Sequence, residues 1–346
     1  MHTNAPVFIV GVNRSGTTLL RLILNAHPRI AIPEELNYFN PWIDAHWADR
    51  APDAKGFRRR VHWYLHEKLP AGVLPGIDLK TLEDDIVARA ETYDWRAVYE
   101  GALSAWADRH GKARWGEKTP GNLFYVDTLR TMFPEAQFLH LVRDPRAGVQ
   151  SMQKTSFFGK DIAINALNRR KYLREGLHRD ATMPSDRWMR VRYEDLLHAP
   201  EKTTRTLCDF LGERFTPSML TYYKRAEQYM NPAAANGHNQ AARRPIDASR
   251  ADAWRDRLAP IEAARIEAIC RHEMGALGYM PDGPSLSLTD RLWLLVETFY
   301  WHLLQFQQDA PDAFVLDSPS AALRRLRGLR PWTGPSAAPS DQAPAD

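Results

Sequence analysis

The octet Gly11-Val12-Asn13-Arg14-Ser15-Gly16-Thr17-Thr18 constrains this chain more than any other stretch, because of what flanks it. The continuous apolar run Val7-Phe8-Ile9-Val10 precedes it, and Leu19-Leu20-Arg21-Leu22-Ile23-Leu24 follows. A buried strand, a tight glycine turn and a helix start aim several backbone N–H groups at one point, which makes an anion cradle. The glycine spacing is that of a nucleotide phosphate loop with one exchange: Thr17 stands where a triphosphatase carries its lysine. That lysine reaches the β/γ-phosphates, so its absence favours a nucleotide with a short 5′ anionic chain over magnesium–ATP.

The rest of the composition narrows the class. A chain of 346 residues that is 44% hydrophobic can bury a sizeable core. A formal charge of +4 suits an anionic ligand but falls short of the dense basic stripe of a nucleic-acid binder. Cys208 and Cys270 are far apart in helix-like segments and read as buried thiols, neither a zinc site nor a disulfide. No metal-ligand cluster is evident, with His27, His140 and His238 isolated, so no metal is expected. The first strand starts within a few residues of Met1, which reads as a cytoplasmic chain without a leader. Leu292 to Phe306 is interrupted by Glu297 and His302 and is too short for a transmembrane span. It reads as a packed helix, with a homodimer contact or an apolar acceptor as the alternative uses of its aromatic residues.

Along the chain, Pro6 to Val12 reads as a buried strand and Thr17 to Asn25 as the helix it feeds. Helical spacing dominates from about 44 to 110, Leu123 to Met132 reads as a helix, and Phe138 to Val142 as a second strand. Trp188 to Arg192 forms a third strand, with helices over Pro200 to Leu211 and Pro260 to Leu277. Asn231 to Ser249 lacks periodicity and reads as a long loop. Strands alternating with helices predict an α/β chain with a central, mostly parallel sheet flanked by helices, and ligands at the strands' carboxyl ends. The expected organisation is a domain over 1–282 with a helical insertion at about 44–110, a helical extension over 283–330 and a disordered tail over 331–346.

Three segments together resemble one family. Asn13-Arg14-Ser15-Gly16-Thr17-Thr18-Leu19-Leu20, then Asn25-Ala26-His27-Pro28 and Pro33-Glu34-Glu35, is similar to the 5′-phosphosulfate loop of sulfotransferases that use 3′-phosphoadenosine 5′-phosphosulfate (PAPS), nearest the tyrosylprotein and bacterial branch. Phe138 to Ser151 resembles the family's 3′-phosphate segment, a strand ending in Arg143 with Ser151 eight positions on. Arg192-Tyr193-Glu194-Asp195-Leu196 resembles the strand end whose Tyr lies near the adenine. The resemblance implies a P-loop-type three-layer fold.

It also implies roles. Arg14, Ser15, Gly16, Thr17 and Thr18 would hold the 5′ group, Arg143 and Ser151 the 3′-phosphate, and Tyr193 the base, although a structural Tyr fits that last position equally. Arg243 and Arg244 match the family's basic loop segment loosely, and an exposed basic pair fits as well. Glu35 aligns with the family's general base, a role that a carboxyl raised by burial would suit; Glu34 and a helix-start carboxylate are the alternatives. Lys118, in what resembles a Lys-containing turn over Gly116 to Pro120, would join Arg14 in offsetting charge on the leaving group. The pattern departs from the family at Asp252, two residues before Trp254, where the tyrosylprotein branch carries Ser; this Asp is expected to point away.

The implied activity is transfer of a sulfonate from PAPS to an acceptor hydroxyl by in-line displacement, leaving 3′,5′-adenosine bisphosphate (PAP), without a metal. The acceptor class stays open among small molecules, carbohydrates, lipids and peptides. A small-molecule P-loop kinase and an inactive nucleotide-binding homologue are the alternative readings.

Overall fold

The computed structural model describes residues 4–155, 161–231 and 240–309. Five strands, β1 (Val7–Gly11), β2 (Ile30–Ala31), β3 (Arg114–Lys118), β4 (Gln137–Val142) and β5 (Trp188–Arg192), pair in the order β2-β3-β1-β4-β5. Every pairing is parallel. β1, β3 and β4 are buried along their whole length, as parallel strands covered on both faces must be. The edges are the two-residue β2 and the half-exposed β5.

The strand order reverses at β1: the chain runs from β1 out to β2 and β3 on one side, then to β4 and β5 on the other. Such a reversal opens a crevice at the strands' carboxyl ends. The octet leaves β1 at that point and enters α1 (Thr17–Asn25), of which every residue except Thr18 is buried. Between β2 and β3 the helical insertion holds α2 (Pro41–His46), α3 (Ala54–His62), a π-helical segment (Trp63–Lys68), α4 (Leu79–Arg89) and α5 (Trp95–Arg109). Asn40, Asp53, Asp78 and Asp94 cap the four α-helices through their side chains, which sets the starts.

After β3 come a 3₁₀ segment (Pro120–Tyr125), α6 (Val126–Met132), β4, α7 (Pro145–Met152), α8 (Ile162–Thr182) and β5. They are followed by α9 (Tyr193–His198), α10 (Pro200–Leu211), α11 (Pro260–Ala276) and α12 (Leu288–Asp309). The described residues form two compact units, one from 4–142 and 179–248, the other from 143–178 and 249–309.

Several elements differ from the sequence expectation. Gly116-Glu117-Lys118 ends strand β3 and is no turn; a Gly, an acid and a base with no apolar run conceal a strand that is nonetheless fully buried. The helix expected from Leu123 starts as a 3₁₀ turn at Pro120 and becomes α-helical at Val126. The loop expected over 231–249 carries 3₁₀ turns at Gln240–Arg243 and Ala248–Arg250; residues 232–239, with His238, and the tail from 310 lie outside the described residues. No helix among the described residues is long and apolar enough to cross a membrane. Cys208 and Cys270 are free and buried, and burial pushes their thiols up to about 11 and 12.

Candidate active site

The octet folds as an anion cradle should. Gly11 turns at φ 145°, and a Cβ there would stand 2.4 Å from the Leu141 carbonyl oxygen. Arg14 adopts a left-handed conformation at φ 69°, and Gly16 follows at φ 96° as the N-cap of α1. No side chain caps α1 and no acid occupies its first turn, so its leading N–H groups are offered to an anion. Ser15 and Thr17 are buried within the loop, and Arg14 and Thr18 are half-buried. Tyr193, at the start of α9, packs its ring directly on Gly16, where an added Cβ would lie 2.3 Å from the ring. The Tyr is thus a wall of the loop, with no more than its edge exposed.

Residues 34–40 form an irregular strap, not a helix start, and the structure separates the two glutamates on it. Glu34 faces Arg21 of α1 at 3.5 Å. Arg21 is fully buried and also donates to the carbonyls of Tyr229 (2.7 Å) and Ile32 (3.4 Å). Burial lowers this guanidinium to about 10, against the pull of Glu34 and Glu35. Glu35 instead accepts a hydrogen bond from Lys118 Nζ at the carboxyl end of β3. The Glu35 side chain is 37% exposed and that of Lys118 4%, so the carboxylate is reachable while the ammonium is held from below. The burial expected of Glu35 is therefore absent.

Glu117 ties the strap to β3. Its carboxylate accepts from Thr119 N (3.0 Å), Thr119 Oγ1 (2.5 Å) and Asn122 Nδ2 (2.6 Å), and it is bonded by the Leu36 backbone N–H. Asn37 N donates to Thr119 Oγ1 at 3.4 Å. Burial raises the Glu117 carboxyl to about 7, opposed by Thr119 and Lys118 and reinforced by Glu35. Most of the aromatics around the strap are core: Tyr38, Phe39, Trp63 and Tyr64 are buried, and Tyr38 stacks on Tyr99 at 4.4 Å.

In the second unit, Arg143 directly follows β4 and its Nη2 lies 3.4 Å from the Arg250 carbonyl. Asp144 caps α7 and holds Arg146, which also binds Glu267 and Asp282. Ser151 is half-buried on α7. Arg169 of α8 lies beneath α7, where a Cβ on Gly148 would overlap its guanidinium at 1.9 Å, and it reaches the Arg143 carbonyl at 3.4 Å. Burial, then the charge of Arg143, lowers Arg169 to about 10. Asp252 is 66% exposed beside Arg255, and the guanidiniums of Arg146 and Arg255 both lie over the Trp254 ring. In the first unit Arg243 pairs with Glu227 at 2.8 Å, and Arg244 is exposed.

Sequence reasoning missed Arg21, Glu117 and Arg169. An arginine inside an apolar helix and a glutamate inside a strand were the available signals for the first two. Arg169 sits in a polar helix and carried none.

The family model described as "Sulfotransferase family" matches residues 6–217. The chain belongs to the sulfotransferase family. This sulfotransferase is 25% identical over 287 residues to protein-tyrosine sulfotransferase 1 of Danio rerio, covering 80% of the chain and 72% of that relative. It is 27% identical over 288 residues to the protein-tyrosine sulfotransferase of Drosophila melanogaster, of whose length the match covers 52%. Among solved structures, the sulfotransferase domain from the Synechococcus PCC 7002 olefin synthase superposes with a TM-score of 0.56 at 26% identity, covering 82% of this chain and 97% of that one. The sulfotransferase domain from the curacin biosynthetic pathway gives 0.60 at 20% identity over 82% and 100%. These neighbours agree with the parallel P-loop-type sheet.

Proposed function

We propose that this sulfotransferase moves a sulfonate from PAPS to an acceptor hydroxyl, with Glu35 as general base. The observation that carries the reading is the division of labour on the strap: Glu34 faces a buried arginine, while Glu35 stays accessible on the ammonium of Lys118. The donor supplies the sulfonate and a stable bisphosphate leaving group. The uncapped, acid-free start of α1 fits its 5′ end, with Arg14, Ser15, Gly16, Thr17 and Thr18 as donors. The 3′-phosphate is assigned to Arg143 and Ser151, and the base to Tyr193.

Glu35 takes the acceptor's hydroxyl proton as the acceptor oxygen bonds sulfur and the bond from sulfur to the phosphate oxygen breaks. Lys118 and Arg14 offset the charge left on that oxygen. Names among the relatives include a carbohydrate sulfotransferase as well as protein-tyrosine ones, so the proposed acceptor is a hydroxyl without further restriction. Arg243 is held by Glu227 and Arg244 is exposed, which supports only a peripheral part for them.

Calorimetric titration with PAP, beside ATP with and without magnesium, tests the donor. Metal-independent binding of PAP that Arg143→Ala weakens at least about tenfold supports the reading. Preference for magnesium–ATP overturns it in favour of a kinase.

A further inference from the structure

Away from the residues assigned to sulfonate transfer, the helical insertion gathers two imidazoles and a carboxylate. His62 is the last residue of α3, and His66 lies one turn on in the π-helical segment. Residues four apart share a helix face, and these two rings stack with centroids 4.5 Å apart. Single π-helical turns recur where side chains are brought together for function. Glu83 comes from α4, 17 positions after His66, and is buried. Its Oε2 is 2.9 Å from His62 Nδ1 and 3.5 Å from His66 Nε2.

The spacing is that of a coordination sphere. Zinc holds nitrogen and oxygen ligands at about 2.0–2.2 Å, which in a tetrahedron puts the ligand atoms roughly 3.3–3.6 Å from one another. Here the three donor atoms lie within 4.8 Å of each other; of the two contacts of the carboxylate oxygen, the one to His66 (3.5 Å) falls in that range and the one to His62 (2.9 Å) is a direct hydrogen bond that an ion would open slightly. Arg58, one turn before His62, donates from Nη1 to the other oxygen, Oε1, at 3.1 Å. That bond orients the carboxylate and leaves Oε2 to the imidazoles, the arrangement expected of an outer-shell partner. The guanidinium's own charge is shared with Asp84 at 2.5 Å.

We propose that His62, His66 and Glu83 form a binding site for one transition-metal dication of the zinc class, with solvent completing the sphere. Two imidazoles and one carboxylate suit zinc, cobalt or nickel and discriminate against magnesium and calcium, which prefer oxygen throughout. An ion here clips α3 and the π-helical segment to α4, so it stabilises the insertion by mass action. The sequence alone does not show this cluster, because the pair His62-x-x-x-His66 meets Glu83 only when α4 folds against α3.

The metal-stripped full chain is titrated with Zn²⁺ by calorimetry and with Co²⁺ by visible absorption. Expected are one ion per chain, the d–d bands of four- or five-coordinate cobalt, a Tm that rises with zinc, and no competition from a large excess of Mg²⁺. His62→Ala, at an exposed position that leaves the core intact, and Glu83→Gln should each weaken zinc at least tenfold, about the least that disturbing a metal site costs. Absence of saturable binding overturns the proposal. So does binding that survives unchanged in the folded His62→Ala, His66→Ala double variant, which would place the ion elsewhere.

Discussion

Tyr193 lies against Gly16 so closely that a single added methyl at position 16 would sit 2.3 Å from its ring. The glycine meets two demands at once, a φ of 96° that side chains resist and a surface on which the aromatic ring closes the loop. Gly16→Ala is expected to cost about 1–3 kcal/mol of stability through backbone strain and to lower PAP affinity by tilting the N–H groups of the loop. Gly16→Ala with Tyr193→Ala removes the clash but not the strain, and it also takes away the buried ring assigned to the base, so it should recover little of the affinity. Thermal melts and calorimetry on both variants check this. Full recovery of affinity would show that the ring alone was the obstacle.

The two glutamates of the strap should separate experimentally. Glu35→Gln is expected to reduce kcat at least about a hundredfold, as loss of a general base does, with the fold retained and Tm lowered somewhat because the buried Lys118 ammonium loses its carboxylate. Glu34→Gln should leave chemistry largely intact and lower stability by about 1–3 kcal/mol, because Arg21 is fully buried and loses its nearby carboxylate. An unchanged kcat in a folded Glu35→Gln would remove this residue from the reaction.

What could be read from the sequence was what has a local signature. α1, β5 and α10 start and stop where residue pattern and punctuation put them, since Gly16, Pro200 and the apolar runs act within a few residues. β3 was hidden because Arg114-Trp115-Gly116-Glu117-Lys118 has no strand pattern; its burial comes from β1 and β2 on either side, a tertiary effect. The same holds for the strap. Only the fold shows that Glu34 meets Arg21 and Glu35 meets Lys118, because those partners lie 13 and 83 residues away.

Glu117 gives stability a pH dependence whose sign follows from burial. Its carboxyl is raised to about 7 from an ordinary value of 4.5, so between those values the folded chain holds a proton that the unfolded chain has released. Stability therefore falls as pH rises through that window. Lys112, lowered by burial to about 7, acts in a separate window: from 7 up to its ordinary 10.5 the unfolded chain holds the extra proton, and stability rises with pH. Melting curves from pH 5 to 8 should show Tm declining toward neutrality, and Glu117→Gln should flatten that decline. A parallel decline in Glu117→Gln would assign the titration to another group.

Arg143 and Arg169 should act differently on PAP. Removing Arg143, assigned to the 3′-phosphate, is expected to weaken binding by roughly 2–3 kcal/mol, the scale of a charge-assisted hydrogen bond. Arg143→Lys should restore only part of it, since an ammonium lacks the planar fork. Arg169→Met keeps volume at a position fully buried under Gly148, and it should weaken PAP less while lowering Tm. Calorimetry with PAP and with adenosine 5′-monophosphate checks the assignment, because the monophosphate should not sense Arg143→Ala.

α12 carries two faces. Leu294, Glu297 and Trp301 turn inward, with Glu297 on Arg265 at 2.6 Å and Trp301 Nε1 on Asn168 at 3.1 Å. Leu288, Leu292, Leu295 and Phe299 are 79%, 62%, 67% and 67% exposed, at steps of four, three and four residues. That stepping is the seam of a two-helix coiled coil, and the residues beside it, Thr289, Arg291, Val296 and Thr298, bring one charge and so little repulsion between copies. An isologous dimer through this face is the expected solution state. Sedimentation of the full chain at micromolar concentration should show twice the chain mass, and Leu292→Asp with Leu295→Asp should give a folded monomer whose Tm no longer depends on protein concentration, since neither side chain contributes to the core. A monomeric wild type would mean that α12 does not mediate dimerisation.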